Sequence, residues 1–174
     1  MMEGITGEAA SLAGHLKLSN LCWLYDNNKI TIEGHTDWAF SEDVATRFLG
    51  YNWNVLRVGD ANDLEMLERA FRTFKNTHDR PTLIIVYSHI AYGAPNKQDT
   101  HEAHGSPLGE DEIRLTKRHY GWPEDEKFLV PEAVLNHFQQ NMRRRSQALR
   151  NAWFVKLDEY QHQYPDLEKK KKKM

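Results

Sequence analysis

The chain has little cysteine, little net charge and no long apolar run, and each shortage removes a class of protein. A single cysteine, Cys22, cannot form an intrachain disulfide, so a disulfide scaffold is excluded and a reducing, cytoplasmic location is expected. Lys and Arg number 23 against 25 Asp and Glu, a formal net charge of −2. Phosphate-backbone binding wants a basic surface, so no nucleic-acid partner is expected, and the main like-charge run, Lys169 to Lys173, reads as a solvated tail spanning residues 169–174. No stretch approaches the length of a transmembrane helix, and the N-terminus lacks the basic-then-apolar pattern of a secretion signal, so neither membrane nor export is expected. Also missing are a Gly-x-Ser-x-Gly elbow and a phosphate loop ending in Gly-Lys-Ser or Gly-Lys-Thr. Of nine histidines the closest pair is His101 and His104, but Gly105 and Pro107 nearby argue for a loop, and no cysteine pair completes a zinc site.

What is there suits one soluble globular domain: 174 residues, 40% of them hydrophobic, with both charge signs near balance. From Ile5 the positions Ile5, Ala9, Leu12 and Leu16 recur at helical spacing, widened by Ala10 and Ala13, which predicts a helix that packs closely on a sheet and opens at Glu3-Gly4. Asn20 to Tyr25 reads as a buried parallel strand, with Asp26 to Lys29 as the turn at its carboxyl end and Ile30 to Ile32 as a short extension. Ser41-Glu42-Asp43 can cap a helix carrying Val44, Phe48 and Leu49. Asn54 to Val58 is the next strand, and Asn62 can cap a helix with Leu64, Leu67, Phe71 and Phe74 on one face. Pro81 to Ile90 is the most apolar strand. Strand, helix, strand at these lengths predicts α/β architecture with a mostly parallel sheet flanked by helices. Residues 91–108 form a long polar loop, Gly109 to Tyr120 and the segment after Val130-Pro131 are helical, and Leu149, Trp153, Leu157 and Tyr160 mark a terminal helix over about residues 141–168.

In open α/β sheets ligands bind at the carboxyl edge, so YDNNKITIEG at residues 25–34 draws the eye: Asn27-Asn28 suits either a ligand shell or an ordinary turn. Val58-Gly59-Asp60-Ala61 also follows a strand, but the helix cap behind it assigns it to turn chemistry.

The words MEGITGEAASLAGHLKLSNL, YDNNKITIEG, SEDV, RPTLIIVYSHIAYGAPNK, HEAHGSPLG and YGWPEDEKFLVPEAV together resemble transketolase, in the part of its diphosphate-binding domain that follows a Gly-Asp-Gly motif, from about Met2 to about Leu167. The resemblance implies a partial thiamine diphosphate-binding fold with C-terminal helices over residues 1–174. It implies thiamine diphosphate and Mg²⁺ (or Ca²⁺) as cofactors, the Asn28 side-chain oxygen and the Ile30 backbone carbonyl as metal and cofactor ligands, and His104 as a catalytic and cofactor-binding residue beside the diphosphate. It places Glu3 near a dimer interface; it carries no role to His89 or His101. Ala91 stands where the family commonly has glycine, a cost if that position needs positive φ. By the family's spacing, the Gly-Asp-Gly and its metal-binding aspartate fall just before Met1, and the pyrimidine-binding domain lies outside the chain. The implied activity is transfer of a two-carbon ketol unit from a ketose phosphate to an aldose phosphate, with the missing domains or a companion subunit as partner and no turnover by the chain alone. The alternatives are a non-catalytic interaction module or remnant, and a subunit of a split thiamine enzyme such as dihydroxyacetone synthase.

Overall fold

Residues 82–87, TLIIVY, leave no polar face to turn to water. A strand of that composition is stable only with cover on both sides. The computed structural model describes residues 3–171, and the chain divides into two units, Met1–Asp125 and Glu126–Met174. In the first the order is α1 (Ile5–His15), β1 (Cys22–Asn27), α2 (Val44–Gly50), β2 (Asn54–Val58), α3 (Leu64–Lys75), β3 (Thr82–Tyr87) and α4 (Glu110–His119), with 3₁₀ turns at Thr36–Trp38 and His101–Ala103. The strands form one parallel sheet in the order β1-β3-β2. Cys22 and Asn54 both lie opposite Thr82, while Asn27 meets Tyr87 and Val58 meets Val86. All three strands therefore end at one level on one edge.

Strand alternation sorts β3 into two cores. Leu83 and Ile85 point to one side, where Ala10 and Ala13 of α1, Val44, Ala45 and Phe48 of α2, and Trp53 close over them. Trp53 is the keystone of this layer. Its indole Nε1 donates to the Ala10 carbonyl at 2.8 Å, and its ring packs 4.9 Å from Trp23 and 5.2 Å from Phe48. Burying a side chain the size of Phe48 contributes about 3 kcal/mol. Ile84 and Val86 point to the other side and pack with Val58 and with Ala70, Met66 and Leu67 of α3.

The α/β architecture and the parallel sheet are as expected; several details differ. β1 runs two residues further than its apolar letters suggest, because pairing with β3 continues through Asp26 and Asn27. It is also half-buried rather than buried, being an edge strand here, with Leu24 54% exposed. The extension at Ile30–Ile32 shrinks to a single bridge between Ile30 and His35. The packed face of α1 is Ala10, Ala13 and Gly14, whereas Ile5, Leu12 and Leu16 face outward. Likewise α3 packs through Met66, Leu67 and Ala70, leaving Leu64 exposed. Asp43 caps α2, as expected, accepting from the Ala45 and Thr46 amides and from the Thr46 hydroxyl at 2.6 Å; these bonds, the hydroxyl's first, hold its carboxyl below the usual range. The cap of α3 is Asp63, not Asn62. Asp63 has the extended backbone a cap needs and accepts from Met66 N–H at 2.9 Å, while Asn62 bonds back to Asp60.

In the second unit α5 (Glu132–Phe138) runs through a π-helical turn, Gln139–Arg143, into α6 (Arg144–Gln163), followed by α7 (Pro165–Lys171). The expected single helix to about residue 168 breaks at Tyr164, φ −131° and ψ 62°. The cause is Pro165, whose ring disfavours helical backbone in the residue before it but suits the first position of a new helix. The last three residues of the Lys-rich tail lie outside the described residues. Among the described residues no helix is long and apolar enough to cross a membrane.

One glycine fixes how close α1 comes. A Cβ on Gly14 would sit 1.9 Å from the Tyr51 carbonyl oxygen and 3.4 Å from the Trp53 ring. Gly14→Ala is therefore expected to cost about 3 kcal/mol in urea unfolding, since backbone on both sides must move; a loss no larger than that of an exposed helical substitution would show that α1 is not pinned there.

Candidate functional site

Where β1 ends the chain makes a tight reversal. The Asn28 side-chain oxygen accepts the Ile30 N–H at 3.0 Å, an Asx turn that puts Lys29 at φ 62°. The turn is pinched shut two residues on: Thr36 N–H donates to the Lys29 carbonyl at 2.9 Å and Thr31 N–H to the Gly34 carbonyl at 2.7 Å. Both bonds flank the Ile30–His35 bridge, so the Ile30 carbonyl takes no part in it. Ile30 itself is buried.

A cleft of about 490 Å³ opens between this turn and the ends of β2 and β3, lined among others by Asn28, Ile30, His35, Asp60, His89 and Asp99. Beside it lies a second cleft of about 330 Å³, sharing Lys29 and His35 and reaching Asp43 and Arg57. The ends of β1 and β3 are tied by the Ser88 hydroxyl, which donates to the Asp26 carboxylate. Asp60 keeps to turn chemistry, accepting from the Asn62 backbone N–H at 2.8 Å. No group of three or more His, Cys, Asp or Glu among the described residues could hold a metal ion. The oxygen donors gathered at the cleft's turn are the neutral amide of Asn28 and the carbonyl of Ile30.

The loop from 91 to 108 is built by polar side chains. Glu112, buried on α4, accepts from the Asn96 backbone N–H at 2.7 Å and its side-chain amide at 2.8 Å. Gln98 accepts from Gly93 N–H at 2.8 Å, and Tyr120 donates to the Tyr92 carbonyl. Ala91, the position where glycine was expected, has φ 50°. His104 ends the 3₁₀ turn, exposed, its backbone N–H bonded to the His101 carbonyl at 2.9 Å; it lines neither cleft. Glu3 is exposed just ahead of α1, its carbonyl accepting from Thr6 N–H. The structure thus gathers Asn28 and Ile30 in one turn and leaves His104 and Glu3 outside that cleft. It adds a pair that sequence reasoning passed over: His89 Nδ1 lies 2.8 Å from an Asp99 carboxylate oxygen. His89 follows the apolar strand, a usual place for a functional residue, but nothing in the sequence marks Asp99 as its partner.

The family model described as "Transketolase, thiamine diphosphate binding domain" matches residues 1–174. The chain belongs to this family. It is 45% identical over 167 residues to the transketolase of Geobacillus stearothermophilus, covering 96% of this chain and 25% of that protein, and 46% identical over the same length to that of Staphylococcus aureus. Among solved structures it superposes on transketolase from Pichia stipitis in complex with sedoheptulose-7-phosphate with a TM-score of 0.86 at 37% identity, covering 95% of this chain and 24% of that one. Transketolase from Leishmania mexicana gives 0.86 at 34%, over 94% and 24%. The chain spans about a quarter of the length of the curated relatives it matches.

Two outcomes follow for this transketolase-family site. Ala91→Gly should stabilise the chain by about 1 kcal/mol, because a Cβ in the left-handed region is strained; an unchanged or lower urea midpoint would show that the strain is absent. The Asn96 side-chain and backbone amides hold the Glu112 carboxyl below the usual glutamate range. A lowered folded value means stability that is present above the unfolded value of about 4.3 and is lost as pH falls through the folded one. Glu112→Gln should therefore be less stable than the parent at pH 7, with the gap narrowing towards pH 3; a gap independent of pH would refute the clasp's ionic character.

Proposed function

We propose that this chain is the diphosphate-holding part of a transketolase, a partial diphosphate-binding domain over residues 1–174. In the complete enzyme it serves transfer of a two-carbon ketol unit from a ketose phosphate to an aldose phosphate. The observation that carries this is the Asn28 turn at the carboxyl edge of a parallel sheet, where two neutral oxygens border a cleft of about 490 Å³.

Those oxygens fit a magnesium ion. Mg²⁺ requires about six hard oxygen ligands and usually takes few from the protein and the rest from phosphates and water. The Asn28 amide oxygen has two lone pairs and spends one on Ile30 N–H, and the Ile30 carbonyl is unused by the bridge beside it. Neutral donors add no charge to a site that also takes a diphosphate. When bound, Mg²⁺ would neutralise and orient that diphosphate, while thiamine diphosphate supplies the carbon chemistry. Asn28 and Ile30 would hold the metal; His104 would donate to phosphate and to the substrate's oxygens. Two metal donors are too few for tight binding. Other parts of the enzyme, in the same or a companion polypeptide, must supply the rest, with Glu3 near the contact between two subunits. Sugar phosphates are the substrates proposed, and the lone Cys22, its thiol pushed up by burial, suits the cytoplasm.

An interaction role is the second function, and one observation favours it: Ile5, Leu12 and Leu16 of α1 stand 55–75% exposed. Large apolar faces of this kind are usually covered by a partner.

Calorimetric titration of the purified chain with thiamine diphosphate, with and without Mg²⁺, tests the main proposal. Weak binding that requires the metal is expected, lost in Asn28→Ala and about tenfold weaker in His104→Ala, the worth of one hydrogen bond to a charged group. Binding that ignores both the metal and Asn28→Ala would exclude this turn as the metal site.

A further inference from the structure

His89 is held more firmly than a loop histidine needs. Its Nδ1 meets Asp99 at 2.8 Å across ten residues of chain, and a carboxylate only accepts, so Nδ1 carries the proton. Asp99 reaches it from a strained backbone, φ 59°, with its own N–H bonded to the Ile90 carbonyl at 3.1 Å. Gln98 donates to the same Asp99 oxygen at 3.3 Å and accepts from Gly93 N–H, so the carboxylate is itself braced. The imidazole lies 6.3 Å from the Tyr92 ring, which packs in turn on His119 and Tyr120. Strain kept in place by a supporting network is the pattern of a functional site. Asp99 fixes one ring nitrogen, and the other, Nε2, has no partner among the described residues. Both residues line the cleft bordered by the Asn28 turn.

What such a histidine recognises follows from its partner. With Nδ1–H kept by the carboxylate, a proton on the opposite nitrogen makes Nε2–H a donor aimed away from Asp99, the group an anion takes. Lys29 and His35 line the same cleft, while its second carboxylate, Asp60, is engaged with Asn62. A phosphoryl oxygen matches these donors, and a charge-assisted bond to it is the strong kind. We propose that His89, oriented by Asp99, is a phosphate-binding residue of this cleft, an inference that rests on the cleft being a diphosphate site. His89 touches the ligand; Asp99 is a positioning residue.

The test uses nuclear magnetic resonance on the full chain, following the His89 ring nitrogens and, separately, the Asn28 and Ile30 amide signals. Inorganic pyrophosphate with Mg²⁺ should shift the His89 Nε2 signal saturably. His89→Gln should weaken pyrophosphate binding about tenfold, the worth of one hydrogen bond to a charged group. Asp99→Asn should weaken it several-fold with the histidine present. A parallel titration with inorganic phosphate tells which phosphoryl group is held: a response to pyrophosphate alone marks the cofactor's diphosphate, and a response to both admits a sugar's monophosphate. A stationary His89 signal, or equal affinity in parent and His89→Gln, overturns the proposal. Mn²⁺ broadening of the Asn28 and Ile30 signals reports the metal turn by itself, so its absence counts against the diphosphate reading and not against His89, whose own signal decides.

Discussion

The parallel pairing of β3 on both of its edges is the constraint from which the rest of the first unit follows. Five of its six residues are buried, and its register with β1 and β2 starts at the same residue, Thr82, on either side. A slip of one residue would turn Leu83 and Ile85 towards α3 and Ile84 and Val86 towards the tryptophan layer, exchanging two cores of different shape. Neither core could accept the exchange, since Trp53 and Phe48 fill one and the small Ala70 lines the other. Fixed register brings Asn27, Val58 and Tyr87 to one level. The turn at Asn28, the turn at Asp60 and the loop after His89 therefore open onto a common cleft.

What happens at that edge is polar clasping rather than apolar packing. Asn28 closes its turn with its own side chain, Asp26 and Ser88 join two strand ends, and Glu112 reaches from α4 to hold Asn96. Three non-glycine residues in the turn after β1 and the loop after β3 sit at positive φ: Lys29, Ala91 and Asp99. Each costs on the order of 1 kcal/mol, an expense tolerated because the strands beneath are over-determined. Hydrophobic burial fixes the platform, and short-range hydrogen bonds spend part of that stability to place donors at its rim.

The platform was legible in the sequence because a six-residue apolar run and a strand-helix-strand rhythm have few other solutions. Asp43 was legible for the same reason, since a capping residue ahead of Val44 and Phe48 has a defined local job. The helix faces were misread. In α1 the Ile5, Leu12, Leu16 stripe has the period of a core face, yet alanines and Gly14 make the contact, because the helix comes too close to Tyr51 and Trp53 for larger side chains. Volume, not hydrophobicity, decided which face turned inward. The metal-binding role proposed for Asn28 rests on family resemblance, because an Asx turn and a ligand turn share one sequence. The pairs His89–Asp99 and Glu112–Asn96 join residues 10 and 16 apart across irregular backbone, and such contacts leave no periodic trace.

The two proposed anchors of the diphosphate, the Asn28 turn and His89, follow different strands and are unrelated in sequence. They are mechanically joined all the same. β1 and β3 are hydrogen-bonded along their whole length, and the Ser88–Asp26 bond locks the last step before the strands part. A ligand held at both lips would thus load the β1–β3 seam rather than the loops themselves. The spacing between the Asn28 turn and the histidine is set by the sheet, while the loop that carries Asp99 holds the orientation of the imidazole. That division suits the proposed site: the distance that the ligand must match is built into the platform, and the orientation of one ring is entrusted to the loop.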